Sequence, residues 1–102
     1  MYVVSSNKLN KGKAVAQSCH AIAAFQMEHP DAFKQWNNYY IVCIKGDLEA
    51  IAQKYEELGI KPNCSEYKEP DMDNQVTART FLALNTQELL SCESLCKDLP
   101  LV

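Results

Sequence analysis

The sequence contains no apolar run that approaches the roughly 20 residues of a membrane-spanning helix. Its first residues also lack the basic stretch and the long apolar stretch of a signal peptide. The 102 residues, of which 47% are apolar, are enough for one modest hydrophobic core. We therefore expect a single domain over residues 1–102 that is soluble, cytoplasmic and independent of membranes.

Several enzyme signatures are absent as well. There is no GxxxxGK(S/T) phosphate loop and no GxSxG serine hydrolase motif. The five cysteines include no CxxC pair, and Cys92 and Cys96 have no nearby histidine to complete a zinc site. Free thiols are the simplest interpretation. Cys19 and His20 are consecutive and would point about 100° apart on a helix, which disfavours a Cys–His catalytic pair.

The net charge of −3 hides an uneven distribution. Residues 1–45 carry +3 and residues 46–102 carry −6. Three lysines fall within six residues, at Lys8, Lys11 and Lys13. A local basic cluster on an acidic chain favours a specific contact with an anion over general adhesion to nucleic acid.

The hydrophobic pattern alternates between strand-like and helix-like segments. Strands are predicted at residues 2–4, 39–44, 61–68 and 77–84, and helices at about 12–27, just after Pro30, 48–58 and about 85–96. The run at 39–44 is typical of a strand buried on both faces. Residues 99–101 are typical of a short edge segment. The order predicts an α/β fold, a single small domain with a mixed four- to five-stranded sheet and helices packed on both faces.

Local chemistry supports three of these helices. Val15, Cys19 and Ile22 recur at helical spacing in the first one. Asp47 is placed to cap the helix that follows it. Asn85, with a glutamate three residues later, is typical of a capping box.

The start of the first long helix is the most specific functional feature of the sequence. Gly12 lets a ligand approach the backbone, and the free N–H groups of the first turn, reinforced by Lys11 and Lys13, favour a phosphate. Lys13, Gln17 and His20 recur at i, i+4 and i+7, so an amine, an amide and an imidazole share one face. A solvated face would show a similar pattern, but the neighbouring alanines would let another backbone come close.

The second feature is the polar segment before the last predicted strand. On its own it is typical of a polar turn with a proline, yet loops at sheet ends often hold functional sites. A carboxylate of Glu69 or Asp71 is suited to orient a water or take its proton, and Gln75 and Thr77 supply hydrogen bonds.

With both features present, the sequence resembles the type II peptidyl-tRNA hydrolase family, which has a small α/β fold. The segment from Lys8 to Ala21 is similar to that family's basic, glycine-containing approach to its first helix, which ends in a His-Ala pair. The order of elements is similar over nearly the whole chain. On this resemblance, Lys13 corresponds to the family's catalytic lysine, and Gln17 and His20 to further motif positions.

The acidic loop departs from the family's pattern. Glu69-Pro70-Asp71 stands where the family has an Asp-Ala-Gly-like motif, and the glycine is missing. Glu69 is the best match for the acidic position, with Asp71 close behind. The family's threonine corresponds to Thr77 or Thr80, depending on where the gap is placed.

The resemblance implies hydrolysis of the ester between a peptide, or an N-blocked amino acid, and the 3′ end of tRNA, without a metal or organic cofactor. Lys13 would stabilise the developing oxyanion or a nearby phosphate, Glu69 or Asp71 would activate water, and Thr77 would hold the water or the carbonyl. His20 completes the candidate catalytic set.

The remaining candidates would bind the acceptor end of tRNA: Lys8, Lys11, Gln17, Gln75 and Thr80. Lys34 is a further candidate for the RNA backbone. The altered loop leaves two other hypotheses open, namely an RNA- or protein-binding module that has lost catalysis and a hydrolase of another ester or amide. Whether the chain forms a homodimer also stays open.

Overall fold

The computed structural model describes residues 1–102 as a four-stranded sheet with four helices. The elements are, in order, β1 (Tyr2–Ser6), α1 (Lys11–Glu28), α2 (Pro30–Trp36), β2 (Val42–Gly46), α3 (Leu48–Glu57), β3 (Asn63–Glu69), β4 (Gln75–Leu82) and α4 (Thr86–Cys96). A single 3-10 turn, Pro70–Met72, lies between β3 and β4. None of the helices combines the length and the apolar character required to cross a membrane.

The sheet is mixed, with the strand order β2-β1-β4-β3. β1 is parallel to β2 and antiparallel to β4, which is in turn antiparallel to β3. The carboxyl ends of β1, β2 and β3 and the start of β4 therefore meet at one edge of the sheet, which we call the upper edge. α1 also begins there, because only residues 7–10 separate it from β1.

Neighbouring strand residues point to opposite faces of the sheet, and here both faces carry apolar side chains that helices cover. Val3 and Leu82 belong to a core with α1 and α2, whereas Val4 and Phe81 belong to a second core with α3 and α4. All four side chains are fully buried. The predicted α/β fold, with a mixed sheet and helices on both faces, is confirmed.

Small side chains let α1 lie close to the sheet. Its buried residues are Ala14, Ser18, Ala21 and Phe25. Asn10 caps the helix, because its Oδ1 accepts a hydrogen bond of 2.9 Å from the backbone N–H of Lys13. The helix predicted near residues 12–27 is confirmed, although Val15, part of the pattern that predicted it, is 51% exposed.

The strand predicted at residues 39–44 begins later than expected, and the prediction is wrong for its first three residues. β1 offers partners only from Tyr2 onward, and Tyr2 pairs with Val42. The preceding aromatic residues thus have no strand to pair with, and Tyr39 is 81% exposed. Asn37 and Asn38, with φ of 56° and 54°, end α2 in the left-handed region that asparagine tolerates.

The last residues form the predicted edge segment beside β2. Leu101 makes one antiparallel bridge with Ile44. The backbone N–H of Lys45 donates to the Pro100 carbonyl at 3.0 Å, and that of Val102 donates to the Cys43 carbonyl at 3.1 Å. The segment covers the outer side of β2 at the upper edge.

Candidate active site

A β-bulge decides which side chains of β4 face α1. Tyr67 pairs with Ala78, but the next residue, Lys68, pairs with Val76, so Thr77 is an extra residue in β4. Regular alternation would turn Thr77 away from α1. The bulge instead directs it towards α1, while Val76 packs against the core under α3 and α4.

Thr77 joins β4 to the polar stripe of α1, a name used here for Lys13, Gln17 and His20, which share one face of the helix. Its Oγ1 donates a hydrogen bond of 2.8 Å to Oε1 of Gln17, a residue 60 positions earlier. Thr77 is only 1% exposed, whereas Gln17 is partly exposed. Because the amide oxygen of Gln17 is occupied by Thr77, its Nε2 is the group that remains for another partner.

A second contact joins the same stripe to β3. The rings of His20 and Tyr67 stack with centroids 4.8 Å apart and planes inclined by 16°. Loss of solvent around the hydroxyl, the adjacent Glu69 carboxylate and the charge of Asp71 raise the pKa of Tyr67. The hydroxyl therefore stays protonated at neutral pH, with both carboxylates in its neighbourhood.

Lys13 occupies the position nearest the upper edge on this face of α1. It is exposed and precedes Gln17 by one helical turn, roughly 6 Å along the axis. Gln17 and His20 both contact the β3–β4 hairpin, so the face that they share with Lys13 is turned towards it. The helix and the acidic turn thus lie at the same edge of the sheet.

The acidic turn closes the hairpin without a glycine. β3 ends at Glu69, and the backbone N–H of Asn74 donates to the Glu69 carbonyl at 3.0 Å. Asp73 and Asn74 adopt φ of 54° and 58°, the left-handed region that Asp and Asn enter more readily than other side chains. These two residues provide the conformation for which glycine is often used, so the missing glycine is compatible with a compact turn.

Thr80 and Gln75 do not join this cluster. Thr80 is fully buried between its strand partners Val3 and Ser65, and its hydroxyl has no hydrogen-bond partner. Gln75 is exposed at the start of β4 and lines a polar cleft of about 350 Å³ on the α3 side of the sheet, together with Lys8. Thr77 is therefore the only one of the two candidate threonines that contacts the α1 stripe.

The lysines of the first half of the chain are separated by the fold. Lys8 lines the cleft on the α3 side, and Lys11 lines a hollow of about 300 Å³ together with Lys45. With Lys13, these residues form the basic edge, a name used below for Lys8, Lys11, Lys13 and Lys45. Lys34 lies instead on α2, beside the last turns of α1, and belongs to the opposite end of the molecule.

The sequence did not single out three residues, of which Tyr67 lies in the site, whereas Lys45 and Arg79 line neighbouring cavities. Tyr67 belongs to the strand predicted at residues 61–68, whereas Glu69 was predicted to lie in the following loop; β3 includes Glu69, and strand alternation puts both residues on one face. Lys45 follows a predicted strand and gave no separate signal. Arg79 lines the polar cleft, its side chain is 17% exposed, and its Nη1 donates to Oε2 of Glu66 at 2.8 Å.

The structure has no metal-binding cluster, and three of its five thiols are held neutral by burial. No group of three or more His, Cys, Asp or Glu side chains is arranged to hold a metal ion. All five cysteines are free. Burial raises the pKa of Cys92 to about 12 and the pKa values of Cys64 and Cys96 to about 11. These three thiols therefore stay neutral and belong to the packing of the molecule.

The candidate site consists of Lys13, Gln17 and His20 on one face of α1, of which Gln17 contacts β4 and His20 contacts β3. A comparison of the sequence with protein-family models gave no match, and a comparison with the curated proteins gave no significant relative.

Proposed function

We propose that this chain hydrolyses the ester between a peptide, or an N-blocked amino acid, and the 3′ end of tRNA. The observation that carries the proposal is the double contact of α1 with the β3–β4 hairpin, Gln17 with Thr77 and His20 with Tyr67. These contacts support it because they bring Gln17 and His20 against the hairpin that carries Glu69 and Asp71, and Lys13 lies one turn before Gln17 on the same helix face.

The carboxylate of Glu69 is the general base in this scheme. Glu69 ends β3 on the same face as Tyr67, so its backbone is fixed, while Asp71 sits on the exposed 3-10 turn. The base removes a proton from a water molecule as the water oxygen attacks the ester carbonyl. The general base contributes roughly 10²–10⁴ in rate in such reactions.

Lys13 and Gln17 stabilise the oxyanion that forms on the carbonyl oxygen. The ammonium of Lys13 neutralises the charge, and the free Nε2 of Gln17 donates a hydrogen bond. Thr77 acts through Gln17, since its own hydroxyl is buried and already donates to that residue. The tetrahedral intermediate then collapses, the ribose oxygen leaves and takes up a proton, and the products are a free peptide carboxylate and tRNA with its terminal hydroxyl restored.

The basic edge supports the choice of an RNA substrate. Its four lysines surround the start of α1, although Asp47 and Glu49 share the cleft that Lys8 lines. All the proposed residues come from one chain, so the scheme does not require a dimer. The substrate is produced by translation, which assigns the protein to the cytoplasm.

The test is release of N-acetyl-amino acid from tRNA by the purified full chain. Lys13→Ala should lower the rate by about 10²–10³, the usual effect of losing an oxyanion partner. Lys34→Ala, an exposed lysine on α2, is the matched control and should retain the wild-type rate. Because Lys13 is exposed, both variants should keep the wild-type melting temperature.

Three results would contradict the proposal in different ways. Binding of tRNA without release favours the binding module. Release from a simple ester at the same rate as from tRNA favours a hydrolase of another ester. Full activity of Lys13→Ala removes Lys13 from the mechanism.

A further inference from the structure

The stacked pair of His20 and Tyr67 differs from the other aromatic contacts of the chain. Its rings are inclined by only 16°, whereas the planes of the other aromatic pairs are inclined by 34° or more. Tyr67 is half-buried and covers one side of the imidazole, while His20 is exposed. The other side of the His20 ring is thus a flat, solvent-facing surface supported from behind.

Space is available next to this surface. One turn before and one turn after His20, α1 carries Ala16 and Ala23, both exposed. Alanines at these positions leave the ring free of longer side chains, so that a second flat group can approach it. Glutamates or lysines, which are common on exposed helix faces, would cover it.

The position of the ring relative to the proposed chemistry is also informative. His20 follows Lys13 by seven residues on one face of α1, roughly 10 Å along the helix axis. Tyr67, which supports the ring, is two residues from Glu69 in β3. A flat group on His20 would therefore lie about 10 Å from the proposed position of the ester, a distance that the ribose and base of a single terminal nucleotide can span.

We infer that the exposed side of His20, backed by Tyr67, binds the terminal purine base of the RNA substrate by stacking. Aromatic side chains that stack on unpaired bases are a common means of binding RNA ends. The inference rests on the proposed function for its ligand, an RNA 3′ end, and it gives His20 a binding role through its flat ring in place of an acid–base role.

The experiment uses the full chain and a short single-stranded RNA whose 3′-terminal base is the fluorescent purine 2-aminopurine. Quenching of this base reports stacking, and the anisotropy of a dye at the 5′ end reports binding of the whole RNA. Wild-type protein should quench the base. His20→Ala should abolish the quenching and weaken binding about tenfold, because one stacked base contributes that much.

Conservative variants separate stacking from other roles of His20. His20→Phe and Tyr67→Phe keep flat rings and should retain quenching, whereas Tyr67→Ala removes the support and should reduce it. Tyr39→Ala, which removes an 81% exposed ring at the opposite end of the sheet, is the matched control and should leave quenching unchanged.

The inference is overturned if wild-type protein does not quench the base, or if it binds an RNA with an abasic 3′ end equally well. It is also overturned if His20→Phe fails as completely as His20→Ala, since the imidazole would then act by hydrogen bonding. Hydrolysis without quenching refutes base stacking and leaves the hydrolase intact. Quenching without hydrolysis refutes the hydrolase and supports stacking.

Discussion

Thr77 and Thr80 lie three residues apart in β4, both almost fully buried, yet only Thr77 has a hydrogen-bond partner. Thr77 donates to Gln17 at 2.8 Å, whereas the hydroxyl of Thr80 is left without one. The sequence made the two threonines equivalent candidates. The bulge at Thr77 turns this residue to the α1 side of the sheet, where it reaches Gln17, whereas Thr80 lies further along the strand between Val3 and Ser65.

We expect different effects on stability when each threonine is replaced by valine. Thr77→Val removes one partner of a buried hydrogen bond and should lower the free energy of unfolding by about 1–2 kcal/mol. Thr80→Val removes a buried hydroxyl without a partner and should be neutral or stabilising by up to about 1 kcal/mol. Urea unfolding measures both. Equal losses in the two variants would contradict the assigned hydrogen bond.

The two carboxylates should contribute unequally to hydrolysis. Glu69→Gln should lower kcat by about 10² or more, since it removes the proposed base from a fixed strand end. Asp71→Asn changes an exposed group on the 3-10 turn and should lower kcat by less than about tenfold, by the same reasoning. Steady-state kinetics on one tRNA substrate compare the variants. A larger effect of Asp71→Asn would exchange the two roles.

The salt dependence of tRNA binding should report the basic edge. Each phosphate contact contributes about 0.9 to the slope of log affinity against log salt concentration. Lys45→Ala and Lys11→Ala should each reduce this slope by about one. Lys34→Ala should leave it unchanged because Lys34 lies at the other end of the molecule. A reduced slope for Lys34→Ala would instead extend the RNA contact to α2.

The buried thiols should make the fold sensitive to high pH. Burial raises the pKa of Cys92 from 9.0 to about 12, so below pH 9 its thiol is neutral in both the folded and the unfolded chain. Above pH 9 the unfolded chain releases the proton first, and stability falls by up to about 1.4 kcal/mol per pH unit for each such thiol. Urea unfolding under reducing conditions from neutral pH to about pH 10 measures the fall.

Two variants assign this effect to Cys92. Cys92→Ala should be less stable at neutral pH because it leaves a cavity, but its stability should fall less steeply with pH. Cys19→Ala removes an exposed thiol and should reproduce the wild-type slope. If Cys92→Ala falls as steeply as the wild-type chain, the loss of stability comes from other groups.

Helix starts were predictable because their chemistry is contained within one turn of chain. Asp47 Oδ1 accepts from the backbone N–H groups of Glu49 and Ala50 at 3.1 and 3.2 Å. Asn85 Oδ1 accepts from that of Glu88 at 2.9 Å. Neither arrangement needs a distant partner, so the residues alone indicate it.

Strand limits were less predictable, because a strand ends where its neighbour ends. Residues 39–41 have the composition of a strand, but β1 has no residue to pair with them. The sequence pattern also did not identify which face of α1 is buried. The pattern that contained Val15 predicted a helix, whereas the sheet is contacted by the smaller residues Ala14 and Ala21.

The sequence by itself determined the α/β order, the capped helices and a stripe of Lys13, Gln17 and His20 on one helix face, since each depends on spacing over a few residues. Only the tertiary structure decided that Thr77 is the partner of Gln17, that Tyr67 supports His20, and that Lys45 replaces Lys34 beside the basic start of α1. These relations depend on the register of β3 against β4 and on the packing of α1 over them. The pattern within a single segment carries no information about either.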